Sequence, residues 1–165
     1  MQIDEASLTQ IAINVCQLKL GLELSSITGE VDIARQLVAS VEIRGDRHSV
    51  VEVFAHDHLM ASIAEAMFRS SRDNLSEEEV QDAFCEIANM IAGSVKSFVG
   101  ETADLSLPVI GPAHHWLHRA HQGSLRTTFE CCGCPLTIVL REVVAKPKAV
   151  ERVAVDLFND TWGLF

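Results

Sequence analysis

The sequence has few basic residues. It contains 13 Lys and Arg against 23 Asp and Glu, which gives a net charge of −10 and a pI near 5.0. A nucleic acid is excluded as a partner, because its phosphates would be repelled. The charge also gives no support for binding to an anionic membrane surface. A protein partner that carries a basic patch suits this balance better.

The sequence also lacks long apolar runs and a regular set of cysteines. No run approaches the roughly 20 residues needed to span a bilayer. The opening MQIDEASLTQ is too acidic and polar for a secretory signal. The five cysteines are odd in number and two are adjacent, which is a poor basis for a disulfide framework. These features together predict a cytoplasmic protein.

What the chain does contain is typical of a globular domain. Its 165 residues are 48% hydrophobic and 22% charged, enough to bury one sizeable core. No low-complexity segment or obvious linker interrupts it. We therefore expect a single domain over residues 1–165.

The first half predicts helix, hairpin and helix. In SLTQIAINVCQLKLG, Ser7 is the expected N-cap and Gly21 the expected stop. The alternating runs LVASVEIRG and HSVVEVFA, joined by Gly45-Asp46, predict a β-hairpin. HDHLMASIAEAMFRSS then predicts a short helix that is capped by Asp57 or a neighbouring residue.

The second half begins with a long helix. Ser76 followed by Glu79 is a capping box, and the helix should run from Ser76 to Phe98 and stop near Gly100. ADLSLPVIGP starts as a strand that prolines and glycine end, and AHHWLHRAHQG is an irregular connection. SLRTTFECC and CPLTIVLRE predict a second hairpin around Gly133. Apolar residues at helical spacing predict a C-terminal helical tail in 147–165.

The two halves of the chain, about 5–70 and 76–142, echo each other faintly. Each has a helix with a glycine near its end, followed by strands that close in a hairpin. Aligning the two glycines sets side by side three pairs of residues: Gly21 and Gly93, Asn14 and Glu86, Gln17 and Asn89. The predicted fold class is α/β in the broad sense, of the α+β type, with a mostly antiparallel sheet and long helices packed on it.

Two opposite faces can be distinguished on the long helix. At about 100° per residue, an apolar seam falls within roughly 60° of Phe84. The seam consists of Phe84, Ile87, Ala88, Ile91, Val95 and Phe98. A polar stripe lies opposite and consists of Asp82, Glu86, Asn89 and Gly93. Because the apolar seam must pack against the core, the polar stripe on the opposite side must face solvent or a partner.

The residue types of the stripe favour a function over a solvated helix face, which is the other interpretation. Gly93 costs about 1 kcal/mol in a helix interior relative to alanine, and Asn is a mediocre helix former. An exposed glycine lets another backbone approach closely. Asn89 offers both a donor and an acceptor and can hold a water molecule, while Glu86 can bind a cation.

The spacing carries a resemblance to a known family. DAFCEIANMIAGSV, with the later proline, forms the pattern D-x3-E-x2-N-x22-P, which comprises Asp82, Glu86, Asn89 and Pro112. This pattern resembles the CheC/CheX/FliY family of bacterial chemotaxis phosphatases. The hairpin and helix ahead of it resemble CheX in particular, and the similarity spans roughly residues 5–142.

The resemblance implies a phosphatase that hydrolyses the aspartyl phosphate of a CheY-like response regulator in two-component signalling. Asn89 would orient the attacking water, and Glu86 would pair with a lysine of the partner. Asp82 would bind the partner or only favour the helix through its dipole. Gly93 would allow close approach, and Pro112 would shape a loop near the site. The Mg²⁺ ion would belong to the partner, so no cofactor or metal ligand is expected in this chain.

The resemblance also implies a single site and a dimer. Family members with two working sites carry the acid-amide pair on both repeated helices, whereas Asn14 and Gln17 replace it in the first half. This matches the CheX-like arrangement, whose members are usually homodimers joined through their sheets. A non-catalytic CheC-like adaptor that binds a response regulator or a flagellar protein is the alternative function.

Two other chemistries are open from the residues alone. Cys131 and Cys134 could join His114 and His118 in a zinc site if the hairpin and the connection meet in space. Cys85, beside Glu86, could be a nucleophile, although its place on the flank of the helix favours packing.

Overall fold

Three α-helices carry most of the helical structure. The computed structural model describes residues 3–99, 102–116 and 124–143. The helices are α1 (Glu5–Ile13), α2 (Asp57–Phe68) and α3 (Glu77–Val99), and α1 continues directly into a π-helical segment (Asn14–Lys19). There are also two single turns of 3-10 helix: Arg72–Asn74 precedes α3, and Ala113–His115 follows the fifth strand.

Seven strands form one sheet. They are β1 (Leu24–Ser26), β2 (Leu37–Arg44), β3 (Ser49–Ala55), β4 (Asp104–Leu105), β5 (Val109–Pro112), β6 (Leu125–Cys131) and β7 (Cys134–Glu142). The order is β1-β6-β7-β3-β2-β4, and β5 also pairs with β2. Every described pairing is antiparallel. The predicted α+β class, a mostly antiparallel sheet with helices packed on it, is confirmed.

The main core lies between the helices and one face of the sheet. Alternate residues of β2, namely Ala39, Val41 and Ile43, are fully buried there, as the two-residue period of a strand requires. The helices contribute apolar residues such as Leu8 of α1 and Phe84 of α3. This packing fixes how α3 is rotated about its axis and therefore which residues it presents outward.

The opposite face of the sheet has a smaller apolar cluster and one buried ion pair. Val38, Phe54 and Val139 meet there, with Trp116 packed against them. The Arg141 guanidinium donates to both carboxylate oxygens of Glu52, at 3.0 and 2.6 Å, and both residues are buried. In a bidentate pair of this kind the two buried charges compensate each other. The sequence pattern alone does not predict that these two residues are buried.

The expected capping box of α3 is confirmed. The backbone N–H of Ser76 donates to the Glu79 carboxylate at 2.8 Å, and the Glu79 N–H donates to the Ser76 hydroxyl oxygen at 3.2 Å. Gly100, the expected stop, lies outside the described residues. The start of α3 is therefore fixed by the reciprocal pair that the sequence indicates.

The predicted cap of α1 is wrong, and the N-cap position of α2 falls on the neighbour of Asp57. α1 begins at Glu5 with Asp4 as its N-cap, because the Asp4 carboxylate accepts from the Ser7 N–H at 2.8 Å. Ser7 is the residue that is capped. α2 is preceded by His56, which has an extended backbone and makes no side-chain cap bond, while Asp57 is the first helical residue. An acid in the first turn favours the helix dipole without being the cap.

The end of the first helical segment is confirmed at Gly21, with a change of helix type before it. The chain leaves α-helical geometry at Asn14 and follows π-helical geometry to Lys19. Gly21 then has a φ of +69°, a left-handed conformation that favours glycine. Neither the π-helical segment nor β1, which pairs with β6, was predicted from the sequence.

Both predicted hairpins are confirmed. β2 pairs with β3, and β6 pairs with β7. Cys132 and Gly133 connect β6 and β7 with φ values of +53° and +75°, as expected of a two-residue hairpin turn with both central residues left-handed. The single strand expected in ADLSLPVIGP is instead two short strands, β4 and β5, on either side of Ser106–Pro108.

Several predictions fall outside the described residues. These are the helical tail in 147–165 and the histidines His118 and His121 of the irregular connection. The division of one domain into two duplicated halves stays a prediction.

Candidate functional site

The apolar seam of α3 is buried as predicted. Phe84, Ile87, Ala88, Ile91 and Val95 are each 0% exposed. Phe98 is partly buried and packs against the same core. The rotation of α3 is therefore set by about four turns of apolar contact, and the opposite face points away from the core.

The polar stripe lies on that outward face. Asp82, Glu86 and Gly93 are exposed, and Asn89 is half-buried. At 1.5 Å per residue the stripe is about 16 Å long, with Glu86 and Asn89 separated by about 4.5 Å along the axis. Within the described chain no residue hydrogen-bonds the side chain of either Glu86 or Asn89. A carboxylate and a carboxamide are thus presented together by a rigid helix.

Gly93 has no packing reason to be a glycine. A Cβ added to it would meet no atom within 4 Å, and its backbone is helical. Alanine would therefore fit and would favour the helix. The absence of a side chain leaves the end of the stripe open to a close approach by another molecule.

Negative charge is concentrated at the start of α3. The first turn carries Glu77, Glu78 and Glu79, ahead of Asp82 and Glu86. Hydrogen bonds from the Ser76 N–H and hydroxyl lower the pKa of Glu79 below its usual 4.5. These carboxylates favour the positive end of the helix dipole and give the exposed surface an acidic character.

Pro112 lies at the end of β5 and is exposed. It pairs with Leu37 at the start of β2, and the next residue, Ala113, donates its N–H to the carbonyl of Gln36 at 2.9 Å. Gly111 before it packs under the Trp116 ring, since a Cβ at that position would lie 2.9 Å from two ring atoms. The segment around Pro112 is thus held closely against the end of β2.

A groove between α2 and α3 was not foreseen from the sequence. It is lined by residues from both helices and by Leu37, the residue that pairs with Pro112. It arises where two helix N-termini meet, so no local pattern indicates it.

Cys85 does not have the properties of a nucleophile. It is half-buried on the flank of α3, and burial, together with the nearby Asp82 carboxylate, raises the pKa of its thiol. A thiol with a raised pKa remains protonated at neutral pH and is a poor nucleophile. A packing role for Cys85 is therefore favoured.

The described residues of the zinc site considered from the sequence are not brought together, and His118 lies outside the described residues. His114 follows β5, whereas Cys134 begins β7, and β2 and β3 lie between these two strands. Three strand spacings of about 4.8 Å separate them by about 14 Å. In the part of the chain that the structure describes, no group of three or more His, Cys, Asp or Glu side chains could hold a metal ion.

The helices that the structure describes include none that is long and apolar enough to cross a bilayer.

A family comparison matches the segment that contains the stripe. Residues 37–129, more than half of the chain, match the family described as chemotaxis phosphatase CheX. The stripe and Pro112 both lie inside the matched range. No curated protein matches the sequence.

Solved structures share the fold. CheX from Vibrio vulnificus is 20% identical, with a TM-score of 0.66 over 82% of this chain and 96% of that chain. A CheC-like protein from Shewanella sp. PV-4 is 18% identical, with a TM-score of 0.66 over 87% and 100%. The CheX–CheY–BeF3–Mg²⁺ complex from Borrelia burgdorferi is 16% identical, with a TM-score of 0.65 over 87% and 100%. At these identities the likeness establishes the fold.

Proposed function

The chain belongs to the CheX family of chemotaxis phosphatases, and on this premise we propose that it hydrolyses the aspartyl phosphate of a CheY-like response regulator. The observation that carries the proposal is the acid-amide pair Glu86 and Asn89. Both are accessible on a helix whose inner face is fully packed. Neither is committed to a hydrogen bond with a described residue of its own chain.

The proposed chemistry needs positioning more than reactivity. An acyl phosphate is intrinsically labile, and its hydrolysis requires a water molecule in line with the phosphorus, together with charge stabilisation. The Asn89 carboxamide has a donor and an acceptor, so it can hold that water by two contacts and does not titrate. This role requires no nucleophile from the chain, which agrees with the protonated state of Cys85.

Docking would be the task of the other stripe residues. Glu86 would pair with the lysine beside the partner's phosphoaspartate and so place Asn89 in register. Asp82 would contact the partner one turn away, and the open surface at Gly93 would let the partner's backbone approach. Pro112 would shape the edge of the site.

The metal ion in the proposed reaction belongs to the partner. Mg²⁺ held by the response regulator would neutralise charge on the phosphoryl group, and the chain would supply no ligand to it. The related complex from Borrelia burgdorferi contains CheX, CheY, BeF3 and Mg²⁺ together. Beryllium fluoride stands in for the phosphoryl group in such a complex, which supports the choice of partner class.

We also propose a cytoplasmic homodimer joined through its sheets. The edge of the sheet next to β4 and β5 exposes two apolar side chains, Leu107 at 86% and Val109 at 56%. An exposed apolar edge favours pairing with a second sheet. Light scattering coupled to size-exclusion chromatography should give about twice the 18.1 kDa of one chain. A Leu107→Lys variant should shift that mass toward the monomer.

The test of the function is the decay of phosphorylated regulators. Each CheY-type receiver domain of the source organism is phosphorylated with Mg²⁺ and incubated with and without the protein. At least one should lose phosphate faster in its presence, at catalytic ratios. Binding of a phosphorylated receiver without any acceleration would instead identify the non-catalytic adaptor.

A further inference from the structure

The groove between the N-terminal turns of α2 and α3 opens on a flank of α3, about 100° around the helix from the start of the stripe. Its volume is about 490 Å³, enough for a whole side chain. Gln81 lines it and directly precedes Asp82 on α3. Leu37 lines it from the sheet and is the strand partner of Pro112. The lining of the groove thus includes the sequence neighbour of Asp82 and the strand partner of Pro112.

The groove has an apolar floor and an acidic rim. Met60 and Val80, 2% and 3% exposed, form the floor together with Leu37. Asp57 of α2 and Glu77 of α3 are exposed and form the rim. This combination matches a lysine or arginine side chain, which packs an apolar stem and keeps its charged end near water.

Among the described residues, Arg72 is the one Lys or Arg that lines the groove, and His58 lines it as well. Arg72 forms an ion pair with Glu77, and its guanidinium also donates to the carbonyl of Leu75 at 2.8 Å. The ion pair engages the charge of Arg72 and equally that of Glu77, so Asp57 is the rim acid that has no ion pair among the described residues. The surrounding surface, which includes Glu78 and Asp82, adds further negative charge.

The size of a stable interface requires contacts beyond the stripe. Specific protein complexes bury about 800 Å² per partner, contributed by about 20–30 residues on each side. Four stripe residues supply only part of such a surface, so the contact must extend onto a flank of α3. The α2 flank offers a cavity whose charge complements a basic partner surface.

We propose that the groove receives a lysine or arginine side chain of the docked response regulator and so helps to select which regulator binds. This inference rests on the proposed function and deepens it. Asn89 and Glu86 act at the phosphoryl group, whereas Asp57 and Gln81 contact the partner beside it. The groove thus governs affinity for the partner and leaves the chemical step to the stripe.

Gln81 is the position that tests the inference. It is exposed, has no hydrogen bond to any described side chain, and both Gln81→Lys and Gln81→Glu place good helix formers there. The probe is CheY of the source organism, activated with beryllium fluoride and Mg²⁺. Gln81→Lys should raise its Kd about threefold or more, and Gln81→Glu should lower it by a similar factor. Both effects should shrink as salt is raised, while kcat stays unchanged.

Ser25 supplies the matched control. It is exposed on β1, four strand spacings or about 19 Å across the sheet from β2. Ser25→Lys and Ser25→Glu change the net charge in the same way but should leave Kd within experimental error of wild type. Opposite shifts of Kd in the two Gln81 variants, without a shift in the Ser25 variants, support binding of a basic side chain in the groove.

Three outcomes would overturn the inference. If both Gln81 variants bind as wild type does, or shift Kd in the same direction, the groove is not a site for a basic side chain. If the Ser25 variants shift Kd as much, the effect is only one of net charge. If wild-type protein binds no activated CheY, the proposed function itself has failed, and that result is visible before any variant is made.

Discussion

The positions of the first and third helices that the sequence alignment pairs have different surroundings in the structure. In α3 the polar stripe occupies the middle of a regular helix of 23 residues. In the first segment, Asn14 marks the change from α-helix to π-helix, and the chain turns away at Gly21. The Gln10 side chain donates to Asn14 at 2.9 Å, and Gln17 donates to the carbonyl of Leu24 at 3.4 Å.

The difference lies in whether the aligned side chains hydrogen-bond to their own chain. The amides of the first segment are engaged with their own chain, although the contact of Gln17 is long. The aligned side chains of α3, Glu86 and Asn89, have no such partner among the described residues. A regular helix also holds residues three apart on one side, whereas a π-helical segment shifts that alignment. This contrast agrees with the single-site interpretation, which stays a prediction.

The largest expected effect is a difference in phosphatase rate between alanine variants of Asn89 and Asn14. Asn89→Ala should lower the rate of phosphate release from phosphorylated CheY about 100-fold or more, because the water loses its positioning group. Asn14→Ala should leave the rate at the wild-type level. Steady-state phosphate release measures both. An equal loss in the two variants would remove the contrast between the helices.

Glu86 should affect binding most strongly. Glu86→Ala removes the carboxylate proposed to meet the partner's lysine and should weaken binding of beryllofluoride-activated CheY about tenfold or more. Glu5→Ala, which removes an exposed acid from α1, is the control and should bind normally. Isothermal titration calorimetry reports both. A Glu86→Ala variant of normal affinity would show that the acid does not dock the partner.

The two glycines should respond to alanine with opposite signs. Gly93→Ala should stabilise the fold by about 1 kcal/mol, because the position is helical and open, yet weaken partner binding severalfold. Gly21→Ala should destabilise it by about 1 kcal/mol, because its φ is +69°. Urea unfolding gives the stabilities and titration gives the affinity. Unchanged affinity in Gly93→Ala would show that the glycine is not needed for close approach.

The smallest expected effect is a pH dependence that the two helices share. Ser76 lowers the pKa of Glu79, and the hydroxyl and N–H of Ser7 lower the pKa of Asp4. A carboxyl group whose pKa is lower in the folded protein stabilises the fold fully above its ordinary pKa. That contribution is lost as the pH falls through the lowered folded value.

Neutral replacements should remove this contribution. Glu79→Gln and Asp4→Asn can still accept the capping hydrogen bonds but do not titrate. Each should flatten the decline of stability, below about pH 4.5 for Glu79 and below about pH 3.8 for Asp4. Thermal unfolding measured between pH 3 and 7 is the check. A decline identical to that of wild type would exclude a role for these caps in acid sensitivity.

The local features of the fold could be predicted because short-range chemistry specifies them. The capping box at Ser76, the seam of α3 and the turn at Gly133 each depend on a few neighbouring residues. The error at Ser7 is equally local, since Asp4 three residues earlier is the cap of α1. The N-cap of α2 falls on His56, next to Asp57, where the chain is extended. The strand order depends on long-range packing, which is why the separation of Cys134 from His114 was not foreseen.

The candidate site likewise has features that depend on local sequence and features that depend on long-range packing. The exposure of Glu86 follows from helical periodicity once the seam is known. The groove beside Gln81 requires the relative placement of α2, α3 and the end of β2, which no local pattern encodes. The ion pair between Glu52 and Arg141 is likewise set by the pairing of β3 with β7.

The most direct test of the central claim is a crystal structure of the protein bound to beryllofluoride-activated CheY with Mg²⁺. The account predicts that α3 meets the partner along its stripe. The Asn89 carboxamide should hydrogen-bond a water in line with the beryllium, and the Glu86 carboxylate should contact a lysine of CheY. A complex in which CheY binds another face, or in which Asn89 lies away from the beryllium fluoride, would contradict it.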